Sequence, residues 1–202
     1  VERSIICSAI KRREVIGQMA DIKIPGLHNL ENALAAITVG MLCGIPSSRI
    51  MQTLKTFPGV EHRIEFVAEV GGVTFINDSK GTNPDSTIVA LNTFALDKKK
   101  KQIILIAGGR DKGTPLQPLA EVAGRTVKTA VLIGEAAPRF SQELEDKVPK
   151  VVETTFTDAV KKAHSLAVPG DIVLLSPACA SFDMFANFAE RGAAFKRIVG
   201  EL

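Results

Sequence analysis

The sequence predicts an α/β protein: a doubly wound, mostly parallel sheet over most of the chain, preceded by the end of another α/β unit. Three observations carry this. From Ile64 onward, short apolar runs alternate with segments of helical periodicity, the pattern of a sheet covered by helices. The runs QIILIAGG, TAVLIG and DIVLLSP are continuously apolar, as strands buried on both faces are. The character of the chain changes at Pro58-Gly59, from two helices to strand–helix alternation. Residues 1–57 hold too little to close a sheet and core of their own, so they read as the last part of a domain. Residues 58–63, PGVEHR, read as a linker, and 64–202 as a second domain.

Taken in order, residues 1–24 read as two extended runs around a basic turn at Lys11-Arg12-Arg13. Pro25-Gly26 ends them. GLHNLENALAAITVGMLCG follows as a helix, with Leu30, Ala33, Leu34, Ile37 and Leu42 at helical spacing and Gly44 closing it. IPSSRIMQTLKTF is a shorter helix. RIEFVAEV and VTFIND form a hairpin turning at Gly71-Gly72. A helix over 85–96 comes next, with Asp85 and Ser86 as early acid and cap. After it come the strand QIILIAGG, a helix near 116–126, the strand TAVLIG and a helix over 136–146. A short strand at VVETT, a helix over 157–168, the strand DIVLLSP and a helix from about 181 to the C-terminus complete the chain.

Composition excludes several classes. The chain has 202 residues, of which 46% are hydrophobic and 23% charged, as in an ordinary globular protein. No apolar run approaches the roughly 20 residues that span a bilayer, so membrane insertion is not expected. A net charge of +3, with no Trp or Tyr, gives no nucleic-acid surface or stacking platform. The run Lys98–Lys101 reads as a solvated turn. Cys7, Cys43 and Cys179 lack metal spacing, as do His28, His62 and His164, which fits a reduced cytosolic setting. Cys179 reads as a small buried thiol.

Three loops gather the polar chemistry. If the strands are parallel, their carboxyl ends share one edge, where open α/β sheets bind ligands. The loop after VTFIN carries Asp78, Lys80 and Thr82. The loop after QIILIAGG is Arg110-Asp111-Lys112-Gly113-Thr114, whose Lys-Gly-Thr order is not a Walker motif. The loop after DIVLLSP, with Ser181, is expected at a helix N-terminus. Two lysines, two hydroxyls and a helix end make an anion site. A ligand with two carboxylates fits it, and so does a phosphate.

The motifs NDSKGTN (77–83), GLHNLENALAA (26–36), EHRIE (61–65), GGRDKG (108–113) and SPACASFDMFANFAERG (176–192) together resemble the Mur ligase family, in its D-glutamate-adding branch. The resemblance covers essentially the whole chain, as the end of the family's central ATPase domain plus its Rossmann-like C-terminal domain. NDSKGTN is specific, since sister ligases carry patterns such as DDYAHHP there.

The resemblance implies ATP-dependent amide bond formation in bacterial cytoplasmic peptidoglycan synthesis. ATP phosphorylates the carboxylate of UDP-N-acetylmuramoyl-L-alanine, and the amine of D-glutamate attacks the acyl phosphate. By resemblance, Asn29 and Asn32 contact adenine, while Arg63 and Asp78 contact the phosphate and ribose portion. Lys80, Thr82, Lys112, Ser181, Phe182 and Phe188 hold D-glutamate, and Lys80 also offsets charge in the tetrahedral intermediate. The family's UDP-binding domain, its Walker loop and its Mg2+ ligands (Glu, His and a modified Lys) have no counterpart here. The chain alone is therefore expected to be inactive, and no oligomer is implied. Gly81 stands where Ala is common, and Phe182 where Leu can occur.

Competing readings are a related ligase for another amino acid, or a non-catalytic nucleotide- or anion-binding module. A phosphoryl-receiver domain with Asp78 as acceptor lacks the acidic pair expected at an earlier strand end.

Overall fold

A computed structural model describes residues 4–9, 12–95 and 100–202. Lys11 of the basic turn, Leu96 of the predicted helix and Lys98 and Lys99 of the lysine run lie outside the described residues. The chain divides into two compact units, residues 1–59 and 60–202.

In the first unit, β1 (Ser4–Ala9) and β2 (Arg12–Gln18) pair antiparallel. Helices α1 (Leu27–Leu42) and α2 (Ser47–Thr56) follow. Ile5, Ala33, Ile37, Met51 and Leu54 form a small core; of the predicted apolar face of α1, Ala33 and Ile37 are buried in it, whereas Leu34 and Leu42 are exposed.

The second unit is a six-stranded sheet in the order β3-β4-β8-β5-β6-β7. Its strands are β3 (Glu65–Val70), β4 (Val73–Asn77), β5 (Ile103–Gly108), β6 (Val127–Ile133), β7 (Lys150–Val152) and β8 (Ile172–Leu175). Only β3 is antiparallel, joined to β4 through Gly71-Gly72. The helices are α3 (Pro84–Phe94), α4 (Gln117–Thr126), α5 (Ala137–Glu143), α6 (Phe156–Leu166) and α7 (Phe188–Val199).

Period-two alternation within the strands builds two cores. Ile103, Leu105 and Ala107 of β5 face α3, α4 and α5, where they join Leu91, Leu119 and Phe140. Ile104 and Ile106 face α6 and α7, where they join Val160 and Phe195. The doubly wound, mostly parallel sheet read from the sequence is thus the observed fold. The loops after β4 and β5 lead to helices on one face, and the loop after β8 leads to the other. Because β8 lies between β4 and β5, this is a topological switch point, where a crevice opens beyond the strand ends.

Two local readings are corrected. The last helix does not start near 181 but at Phe188, because Asn187 caps it by accepting from the Glu190 N–H. Before it, the N–H groups of Met184 and Phe185 both close on the Ser181 carbonyl, so Ser181 lies in a turn and not at a helix N-terminus. Likewise the cap of α3 is Asn83, whose side chain accepts from the Ser86 N–H at 2.8 Å; Ser86 sits inside the helix, while Asp85 is the early acid of its first turn as read.

Candidate functional site at the sheet edge

The loops after β4, β8 and β5 are stitched together by backbone hydrogen bonds. Asp78 N–H donates to Leu175 O at 2.7 Å, and Ala178 N–H to Gly81 O at 2.8 Å, joining the first loop to the third. Gly108 N–H donates to Pro177 O and Arg110 N–H to Ala180 O, both at 2.9 Å, joining the third to the second. The third loop reaches both neighbours by a left-handed residue at Ala178, with φ 58°. Gly109, at φ 131°, is placed so that a Cβ would run into Ala180 O; only glycine fits there.

Beneath the loops lies Arg191 of α7, 1% exposed. Its Nε donates to Ser79 Oγ at 3.0 Å, and its Nη2 to Ser79 O at 2.9 Å and Cys179 O at 3.1 Å. One guanidinium therefore fastens the first loop to the third. Burial pulls its pKa down to about 10, which leaves it charged at neutral pH. Its Nη1, and Oδ1 of Asp183, are buried without a protein partner.

On this frame the predicted D-glutamate residues fall as follows. Lys112 reaches across from the second loop, its Nζ donating to Thr82 O at 3.1 Å. Lys80 is exposed, with its Nζ 5.7 Å from the centroid of the Phe188 ring, within cation–π range. Ser181 is buried in the third loop, while the neighbouring Phe182 ring is 67% exposed. The second loop is braced from α5, where Arg139 Nη1 meets Asp111 Oδ1 at 2.7 Å. The structure thus brings Lys80, Thr82, Lys112 and Phe188 together, with Ser181 and Phe182 on the loop stitched between the other two.

The proposed nucleotide contacts are placed differently. Asn29 and Asn32 lie in the first turns of α1. The Asn29 amide donates to Pro25 O at 2.7 Å and the Asn32 amide to Asn29 Oδ1 at 3.4 Å. Arg63 is exposed on the segment before β3. Asp78 is buried, with Oδ1 accepting from the Ile64 N–H at 3.2 Å and Oδ2 from the Ser176 hydroxyl at 2.7 Å. Burial pushes its carboxyl up to about 6, opposed by those two hydrogen bonds and by the charges of Arg63 and Arg191.

Sequence reasoning missed the support. Arg191, Ser176 and His62 stand inside the quoted motifs but drew no role. His62 is buried at φ 64°, its carbonyl accepting from Lys80 N–H at 3.0 Å and its Nδ1 lying 3.0 Å from the Asn77 amide. A buried arginine gives no periodic signal, and only its position in ERG marks it. Cys179 matches its reading: it is buried, and desolvation pushes its thiol up to about 11.

Fold and edge together define an α/β domain that gathers cations and hydroxyls at one sheet edge. The chain belongs to the Mur ligase family; the family's glutamate ligase domain matches residues 62–179. It is 49% identical over 205 residues to the UDP-N-acetylmuramoylalanine–D-glutamate ligase of Thermoanaerobacter sp. (strain X514), covering 98% of this chain and 44% of that protein. It is 50% identical over 194 residues to the protein of that name from Caldicellulosiruptor bescii, covering 95% of this chain and 41% of the relative. The chain thus spans less than half the length of these relatives. Among solved structures, the UDP-N-acetylmuramate-alanine ligase of Thermotoga maritima superposes with a TM-score of 0.69 at 18% identity, over 89% of this chain and 39% of that one. The bifunctional folylpolyglutamate synthase/dihydrofolate synthase of Yersinia pestis gives 0.69 at 15% identity, over 96% and 43%. These structural likenesses speak to fold alone.

Proposed function

We propose that the chain is the C-terminal part of an ATP-dependent, ADP-forming ligase of bacterial cytoplasmic peptidoglycan synthesis. Residues 1–57 are the end of its ATP-binding domain, 58–63 the linker, and 64–202 the amino-acid-binding domain. The relatives' name supports D-glutamate and UDP-N-acetylmuramoyl-L-alanine as the substrates.

The observation that carries the amino-acid site is the Lys112–Thr82 contact. It sets a cation from one loop against the loop that bears Lys80, leaving two ammonium groups at one edge. Two fixed cations suit a dianionic amino acid. In this reading Lys80, Thr82 and Lys112, with Ser181, Phe188 and the backbone at Phe182, hold D-glutamate so that its amine faces the activated carboxylate. The γ-phosphoryl group of ATP passes to the carboxylate oxygen. The amine then forms the C–N bond through a tetrahedral adduct, phosphate leaves with the C–O bond, and the amine sheds a proton. Lys80 offsets the negative charge of the adduct. Asn29 and Asn32 take adenine. Arg63 and Asp78 take the phosphate and ribose side, and buried Asp78 also holds the loop from below.

Among the described residues no group of three His, Cys, Asp or Glu is placed to hold a metal ion. In this reading Mg2+ accompanies ATP, with its ligands in the rest of the enzyme. The chain alone is expected to be inactive. In the complete enzyme, ADP release should depend on D-glutamate above other amino acids. ADP formed equally well with L-glutamate or a neutral D-amino acid would sink the reading. A non-catalytic anion-binding module is separated by the same assay, since it forms no ADP.

A further inference from the structure

A hydroxyl pair beneath the first loop has no role in the reaction just described. Ser176, at the end of β8, and Thr87, in α3, are both fully buried, as is Asp78 beside them. Ser176 Oγ lies 2.7 Å from Asp78 Oδ2 and 3.0 Å from Thr87 Oγ1, while Thr87 Oγ1 donates to Ser176 O at 3.2 Å. Ser176 has one hydroxyl proton and two acceptors within reach, so it can satisfy only one at a time.

The charge on Asp78 decides which. As a carboxylate, Asp78 has no proton, and the charge-assisted bond from Ser176 is the stronger choice. Once protonated, Asp78 donates its own O–H to Ser176 Oγ, and the Ser176 proton turns to Thr87 Oγ1. The Thr87 proton stays on Ser176 O in both states, so every buried hydroxyl remains paired. We propose that Ser176 and Thr87 form a two-state hydroxyl relay that sets the charge of Asp78 and thereby the seat of the 61–65 segment on the first loop.

The other carboxylate oxygen of Asp78 ties it to the 61–65 segment. Asp78 Oδ1 accepts from the Ile64 N–H, and Ile64 is held at φ 48°, a left-handed conformation costly for a β-branched residue. Two residues earlier, His62 O accepts from Lys80 N–H. The segment before β3 is thus pinned to the loop at both ends of a strained turn. An anionic Asp78 is the stronger acceptor for the Ile64 amide. The charged groups acting on Asp78 are Arg63 from that segment and Arg191 from α7, whereas α3 and β8 send hydroxyls only. Ser176 and Thr87 are positioning residues here, and the proposal stands whatever ligand the edge takes.

Carbon-detected NMR of the Asp78 carboxyl in this chain reads the relay directly. Ser176→Ala removes the donor to the carboxylate, so the Asp78 midpoint should rise by about one to two pH units. Thr87→Val removes the acceptor used only in the protonated state, so the midpoint should fall, by about half a unit. Ser176→Thr keeps the hydroxyl and should restore the original value. Packing loss alone does not produce opposite signs. An unchanged midpoint in Ser176→Ala, or a rise in Thr87→Val, overturns the proposal. If Ser176→Ala does not fold, the unaltered chain decides: the Ile64 amide shift should titrate with the Asp78 midpoint. An Ile64 amide that does not follow Asp78 overturns it equally.

Discussion

Lys112 Nζ donates to the carbonyl oxygen of Thr82, 30 positions earlier in sequence, and so ties the second loop to the first. The ammonium keeps two of its three protons for a ligand, and its flexible stem is already committed to one direction. In the complete ligase, Lys112→Ala should raise the KM for D-glutamate by roughly tenfold to a hundredfold, the loss of about 1.5–3 kcal/mol typical of a charged hydrogen bond. ATP affinity should hardly move. Ser181→Ala should act in the same direction but less, and the double variant should be less than additive if both groups hold one carboxylate. Steady-state kinetics with each substrate varied in turn checks this. Weakened ATP use with D-glutamate untouched would reassign Lys112 to the nucleotide.

Arg191 sets the stability of the edge more than its chemistry. Arg191→Met keeps much of the volume but leaves Ser79 O and Cys179 O without their donor in a buried site. Breaking such a network costs on the order of 3 kcal/mol or more. Urea unfolding followed at the amides of β5 measures it. A loss below about 1 kcal/mol would place the site frame elsewhere.

Asp78 makes stability depend on pH in an unusual direction. Its folded carboxyl titrates at about 6, above the ordinary value of 3.8, so the folded state binds the proton more tightly. Its contribution is therefore most favourable at acid pH and declines as pH rises from about 4 to about 6, by roughly 3 kcal/mol in all. Asp78→Asn should remove that slope. The difference between the two unfolding curves isolates it from other carboxyls, including Asp21 and Glu61, whose lowered values act oppositely. Parallel curves across this window would contradict the burial argument.

The thiols should separate by reactivity. Cys43 is exposed, whereas Cys179 is buried and its thiol is pushed up to about 11. Iodoacetamide at mildly alkaline pH should label Cys43 and spare Cys179 in the folded chain, since only the thiolate attacks. Peptide mass spectrometry before and after denaturation reads both positions. Rapid native labelling of Cys179 would mean that the third loop opens readily.

The sheet was legible because its strands are short, continuous apolar runs. QIILIAGG could be read without knowing its neighbours, and all six residues of β5 are buried. The three polar loops were legible for the same reason, since each follows such a run. The start of α7 was not. Residues 181–187 are polar and apolar in a mixture that continues the helical pattern, and only the Asn187 cap separates turn from helix. The support beneath the loops was hidden for a different reason. Arg191, Ser176 and Thr87 act through partners far away in sequence, and a pairing of that kind leaves no local period to read.

The strand order has a consequence for how the chain acquires its edge. β4 and β5 follow each other in sequence, yet they never touch; β8 is inserted between them. The contact that seals the first loop, Asp78 to Ser176, spans 98 positions. Contacts of such high sequence separation form late, because long stretches of chain must be ordered before they bring any return. During synthesis from the ribosome, the first two loops emerge with an open seam between their strands. They become neighbours of a common crevice only when β8 arrives. A nascent chain stopped before Ile172, where β8 begins, carries the lysines but lacks the strand that fills the seam between their loops.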